Sequence, residues 1–183
     1  MRDCGGFVVI LLMGVSGAGK TTIGQLLASE LGWDLVDGDD YHPPENVEKM
    51  RNRIPLTDAD RAPWLDTLRT LIADWIAAGK NTVLACSALK KAYRERLHVS
   101  PQLQIVYLKA TPQVLRQRLQ ARRGHFMTER MLDSQLAALE PPEDVVTVDA
   151  DCSPAQIVSE IRTRLALPEH ASEVKRSEAK PQQ

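Results

Sequence analysis

The sequence predicts an α/β fold of three layers, a five-stranded parallel sheet flanked by helices. Three observations carry that prediction. Short apolar runs alternate with amphipathic stretches along most of the chain. The runs are near-continuously apolar rather than alternating, as expected of strands covered on both faces. The stretches between them carry start and stop signals at the ends where helices need them.

The five runs are residues 7–13, 33–37, 82–87, 104–108 and 145–149. After the first, Ile23, Leu26, Leu27 and Leu31 repeat at helical spacing and stop at Gly32, a good residue for ending a helix in the left-handed conformation. After the second, a longer stripe of Trp64, Leu65, Leu68, Leu71, Ile72, Trp75 and Ile76 stops at Gly79. Thr111-Pro112 and Ser153-Pro154 each set a capping side chain before a proline at the first helical position. The last helix is expected to bury Ile157, Ile161 and Leu165. Strand–helix alternation implies right-handed crossovers and a doubly wound sandwich.

With 183 residues, 43% hydrophobic and 26% charged, the chain suits one domain, placed at 7–167 between a short extension (1–6) and a polar tail (168–183) read as disordered. A net charge of -1 gives no basic footprint for nucleic acid. The longest apolar run is far short of the ~20 residues of a membrane span. It leads into a glycine-rich motif rather than a cleavage site, so a secretory leader is not expected. Cys4, Cys86 and Cys152 are odd in number, widely spaced and without a CxxC pair, which suits reduced thiols in a cytoplasmic protein.

The first strand runs into Gly14-Val15-Ser16-Gly17-Ala18-Gly19-Lys20-Thr21, a match to GxxxxGK[ST] at every fixed position. Strand before and helix after are the setting in which this motif binds phosphates. Glycines let the backbone turn successive N–H groups inward, and the helix N-terminus adds partial positive charge. Gly14, Ser16, Gly17, Ala18, Gly19, Lys20, Thr21 and Thr22 are the expected nucleotide contacts. Lys20 suits the β- and γ-phosphates of ATP, and the Thr21 hydroxyl suits Mg²⁺. The bland alternative, a glycine-rich turn joining strand to helix, does not explain the full match.

A P-loop alone does not separate a kinase from a nucleotide-dependent switch. There is no NKxD stretch to read guanine, and the chain is too small for the extra subdomains of large ATP-driven machines. The second strand ends in Asp37-Gly38-Asp39-Asp40. Carboxylates at that sheet edge lie near the γ-phosphate: one for metal-bound water, Asp37, and one for an acceptor hydroxyl, Asp39. A solvated acidic turn is the competing reading.

Four stretches then carry a resemblance. They are residues 37–43 (DGDDYHP), 54–65 (IPLTDADRAPWL), 85–94 (ACSALKKAYR) and 124–127 (GHFM). In this order they resemble the gluconokinase family of P-loop kinases over about residues 7–167. The resemblance implies ATP-dependent phosphorylation of gluconate to 6-phosphogluconate, with Mg²⁺, in a homodimer. Another small-acceptor kinase, of shikimate or nucleoside monophosphate type, is the alternative.

Gluconate needs a cation for its carboxylate and hydrogen-bonding groups for its hydroxyls. Arg61 leads for the carboxylate. His42, Ser87, Arg94, His125 and Gln135 join Asp39 as candidate acceptor contacts, while Arg51 and Arg53 suit surface charge. Cys86 reads as core packing. A lid is expected at about 122–130, where basic residues precede a glycine hinge. By the resemblance, Arg118 stacks on adenine and Arg122 reaches the phosphates, giving Lys20, Asp39 and Arg122 as the catalytic set.

Overall fold

A computed structural model of the chain describes residues 8–121 and 129–168. Arg122 and His125, expected to belong to a lid, the leading extension and positions 169–183 lie outside the described residues. The elements follow in strict order: β1 (Val9–Met13), α1 (Lys20–Leu31), β2 (Asp34–Asp37), a single 3-10 turn (Gly38–Tyr41), α2 (Pro44–Arg51) and α3 (Asp58–Ala77). Then come β3 (Thr82–Ala85), α4 (Lys91–Leu97), β4 (Leu103–Lys109), α5 (Pro112–Ala121), α6 (Glu129–Ala138), β5 (Val146–Asp149) and α7 (Pro154–Leu165).

All four strand pairings are parallel, in the order β2-β3-β1-β4-β5. The strand that feeds the glycine-rich loop is therefore central, and every residue of β1 is fully buried. Side chains alternate across the strands, so the two faces carry separate cores. Ile10 and Leu12 pack with α1, α5 and α7 through Ile23, Leu27, Leu115, Ile157 and Ile161. Val9, Leu11 and Met13 pack on the other face with α3 and α4 through Trp64, Leu65, Leu68, Ile72 and Leu97. Each fully buried branched chain of this size contributes roughly 1.5–3 kcal/mol, so the sheet centre is a rigid base for the loops above it.

All five expected strands are present, within two residues at each end. The two outer ones differ from expectation in burial: β2 and β5 are edge strands and keep partial exposure. Leu165, at the end of α7, is half-buried and packs against the edge of the core. The expected caps are in place. Gly32 and Gly79 adopt positive φ of 67° and 66°, and Ser153 forms a reciprocal capping box with Gln156.

α2 and the 3-10 turn were not anticipated. The polar sequence of α2 has no apolar stripe, and Asn46 is its one buried residue. That side chain donates to the Asp60 carbonyl at 2.7 Å, while Lys49 reaches the Asp60 carboxylate at 2.7 Å. α2 is thus held to α3 by polar contacts, which a hydrophobic period does not reveal. α3 also starts earlier than its apolar stripe, at a capping box between Thr57 and Asp60.

Candidate active site

The phosphate loop sits between the C-terminal end of β1 and the first turn of α1. Gly14 has φ 147°, and a Cβ there would lie 2.9 Å from the Leu108 carbonyl oxygen of β4. Gly19, the residue before α1, has φ 101°. Both positions therefore require glycine, one for close approach and one for conformation. The Lys20 ammonium donates to the Gly14 and Val15 carbonyls at 2.9 and 3.2 Å, so it curls over the loop. Arg118, on α5, donates to the Gly17 and Ala18 carbonyls at 3.4 Å and to the Ala150 carbonyl at 2.7 Å. It thus ties α5 to the phosphate loop and to the turn after β5.

Gln135, a candidate acceptor contact, reaches the phosphate loop: its Oε1 accepts from the Ser16 backbone N–H at 2.7 Å. The residue comes from α6, which packs on α5, and the contact joins α6 to the phosphate loop. Sequence spacing could not find a bond between residues 119 positions apart.

Across the loop stand the carboxylates. The Thr21 hydroxyl donates to Asp37 Oδ2 at 3.2 Å, and Asp37 Oδ1 accepts from the Asp39 backbone N–H at 3.1 Å. Asp37 therefore joins the first turn of α1 to the turn that carries Asp39. That turn is anchored from below. The buried Trp64 indole donates to the Gly38 carbonyl at 2.7 Å, and a Cβ on Gly38 would approach the Ala85 carbonyl to 3.0 Å. Asp39 keeps 71% of its side-chain surface accessible. Its pKa is nonetheless raised, first by the surrounding protein's desolvation, against the pull of Lys20 and with the help of Asp37 and Asp40. Because water still reaches the carboxyl, the effect is screened until a ligand covers it.

His42 lies beside Asp39, with Nε2 4.0 Å from Oδ1, and only 5% of its side chain is exposed. The ring stacks on Trp64 with centroids 4.3 Å apart. Burial, reinforced by Arg61, lowers its pKa to about 4, so it is neutral at pH 7 and forms no ion pair with Asp39.

Arg61, in the first turn of α3, donates to the Leu56 carbonyl at 2.7 Å and to the Tyr93 hydroxyl at 3.5 Å. Ser87 follows β3, and its carbonyl accepts from the Gly14 N–H at 3.3 Å, fixing the loop after β3 against the phosphate loop. Arg94 neither faces solvent nor stands free in the cleft. It is 8% exposed and donates to the Ala88 and Leu89 carbonyls at 3.1 and 2.9 Å. Arg51 and Arg53 are exposed, as surface charge. Cys86 is fully buried with its thiol pushed up to about 12, chiefly by desolvation, which fits core packing.

The donor set can be tested against Mg²⁺. A hydroxyl and a carboxylate 3.2 Å apart beside a phosphate loop are the hard oxygen groups this ion takes. Among the described residues no three His, Cys, Asp or Glu groups converge as a metal cage. None is needed by an ion bound mainly through substrate phosphates and water.

Comparison with known proteins agrees with this geometry. A family model described as an AAA domain matches residues 9–142, the segment from β1 to the loop before β5. The gluconokinase of Gluconobacter oxydans is 46% identical over 156 residues, covering 83% of this chain and 88% of that protein. A probable gluconokinase of Xenopus tropicalis is 44% identical over 173 residues, covering 84% and 91%. A solved gluconokinase structure from Sinorhizobium meliloti superposes with a TM-score of 0.78 at 40% identity, covering 90% of this chain and 94% of that one. With these relatives matched along most of its length, and a phosphate loop facing Asp37 and Asp39, the chain belongs to the gluconokinase family of P-loop kinases.

Proposed function

We propose that this chain transfers the γ-phosphoryl group of ATP to the terminal hydroxyl of gluconate, giving 6-phosphogluconate and ADP. The observation that carries the reading is the placement of Asp39. It stands on a turn tied to Thr21 of the phosphate loop through Asp37, with Lys20 close enough to act on its charge.

ATP binds with its phosphates on the backbone N–H groups of residues 14–21 and its base toward Arg118. On binding, Lys20 leaves the Gly14 and Val15 carbonyls and turns to the β- and γ-phosphate oxygens. Thr21, with Asp37 through water, would hold Mg²⁺, which supplies charge neutralisation at the β- and γ-oxygens. Asp39 accepts a hydrogen bond from the acceptor's hydroxyl and aligns its oxygen with the γ-phosphorus. The new oxygen–phosphorus bond forms as the bond from the γ-phosphorus to the β,γ-bridging oxygen breaks. The electron pair leaves on ADP, and the hydroxyl proton passes to Asp39. A carboxylate at this position can take the proton as the hydroxyl attacks, and the upward direction of its pKa favours that transfer. Because phosphoryl-transfer transition states are loose, alignment and charge neutralisation matter more than basicity.

Neutral His42 is a hydrogen-bonding group for an acceptor hydroxyl, and Arg61 is the cation for its carboxylate. Arg122 and His125 complete the assignment from the lid segment, as phosphate and acceptor contacts. The family resemblance supports a homodimer, and the reduced-thiol pattern supports a cytoplasmic setting. No helix among the described residues is long and apolar enough to cross a membrane.

The test is ADP release measured with gluconate, shikimate, AMP or no acceptor. Release that depends on gluconate supports the reading. Release that no acceptor stimulates would replace it with a nucleotide-hydrolysing switch.

A further inference from the structure

The turn between β3 and α4 presents a group that the functional reading leaves unused. Lys90 Nζ donates to both carboxylate oxygens of Asp58 at 2.7 Å. The Tyr93 hydroxyl donates to the same carboxylate, and Arg61 Nη1 stands 3.9 Å from it. Three donors from two separate segments thus converge on one carboxylate. That carboxylate belongs to the first residue of α3 and keeps 62% of its side-chain surface exposed, whereas Lys90 and Arg61 each keep 31%.

The charges do not balance. Lys90 and Arg61 bring two positive charges to a single negative one, and the next acid along, Asp60, is already taken by Lys49 at 2.7 Å. Arg61 makes its shortest contact with the Leu56 carbonyl, at 2.7 Å, and the carboxylate it meets, at 3.9 Å, is the same Asp58 that Lys90 holds. Both cations also lie about 6 Å from the Tyr93 ring centroid, at 5.9 and 5.7 Å. The cluster is continuous with the reacting end of the cleft, because Arg61 acts on His42, and His42 lies 4.0 Å from Asp39.

The backbone that delivers Lys90 is held in an unusual shape. Ala88 has φ 43° although it is not glycine, and it is fully buried. Arg94 fixes that turn through the Ala88 and Leu89 carbonyls. A strained turn braced by a buried arginine is more than a surface ion pair requires.

We propose that Lys90, Tyr93 and Arg61 form the subsite for the acceptor's carboxylate, and that Asp58 occupies it until the acceptor arrives. This rests on the gluconate reading and adds to it a named specificity residue, Lys90, and an internal competitor, Asp58. Gluconate's carboxylate replaces that of Asp58 on the same three donors, while its far hydroxyl reaches Asp39.

Steady-state kinetics of Lys90→Gln, Lys90→Arg and Asp58→Asn, each with varied gluconate and varied ATP, test it. Lys90→Gln raises the KM for gluconate about tenfold or more, the scale of one lost charge-assisted hydrogen bond, with the KM for ATP unmoved. Lys90→Arg recovers most of that loss. Asp58→Asn lowers the KM for gluconate at least about threefold, because a competing state is removed. A merely structural clamp would instead lower the melting temperature of both variants and leave the gluconate KM in place. An unchanged KM in Lys90→Gln, or an unchanged or raised KM in Asp58→Asn, overturns the proposal while the functional reading stands. Absence of gluconate phosphorylation by the wild-type chain would overturn both.

Discussion

The Thr21 hydroxyl and Asp37 Oδ2 lie 3.2 Å apart, one at the start of the helix after the phosphate loop and the other at the end of an edge strand. Thr21 stands in the first turn of α1 and Asp37 at the end of β2, with the rest of α1 between them in sequence and β3 between β1 and β2 in the sheet. Their contact brings hydroxyl and carboxylate to one point beside the phosphates. Asp37→Ala is expected to lower kcat about 10–100-fold and to raise the Mg²⁺ concentration needed for half-maximal rate, as loss of an outer metal contact does. Magnesium titration at saturating ATP and gluconate measures both. The gluconate KM stays within about twofold, because the role proposed for Asp37 is on the metal side of the site rather than the acceptor side.

Asp39→Asn keeps the shape of the turn and removes the proposed proton acceptor. Its kcat falls by about 10²–10⁴, while the KM for ATP changes little. Nucleotide binding followed by calorimetry gives the same affinity as the wild type. A variant that keeps full turnover removes Asp39 from the acceptor role and leaves the phosphate loop assignment intact.

His42 gives the fold a dependence on pH. Its pKa is about 4 in the folded chain, against about 6.5 in an unfolded one, so the fold favours the neutral ring. That contribution is fully present above pH 6.5 and is lost as pH falls toward 4, where unfolded chains gain a proton that folded ones refuse. The loss is on the order of 3 kcal/mol over that window. Denaturant unfolding between pH 4 and 7 tests it. His42→Phe, which keeps the stack on Trp64, flattens this part of the profile.

Arg94→Met leaves the Ala88 and Leu89 carbonyls without their donor in a buried turn. Stability falls by about 2–4 kcal/mol, and with it the melting temperature. A thermal melt reads the first effect. Because the turn also carries Lys90, the gluconate KM rises in the same variant while the KM for ATP holds.

The sheet was legible in the sequence because burial of a parallel sheet writes itself as apolar runs, and β1 and β3 are buried throughout. The phosphate loop was legible because glycine at positions 14 and 19 is a backbone requirement with a fixed spacing. α2 was not, since what holds it is Asn46 and Lys49 reaching Asp60, and polar bonds leave no period. The acceptor side was legible only in part. Arg61 and His42 could be named from the stretches they sit in. The bond from Gln135 to Ser16 and the meeting of Lys90 with Asp58, 32 positions apart, depend on how helices pack. Arg94 was a candidate acceptor contact, and packing turned it inward to hold a turn.

Phosphorus NMR of the products, from the wild-type chain given ATP, Mg²⁺ and gluconate, tests the central claim most directly. The expected result is a new phosphomonoester signal coupled to the protons of gluconate's terminal hydroxymethyl carbon, appearing in step with ADP. A spectrum with ADP and inorganic phosphate alone would contradict it.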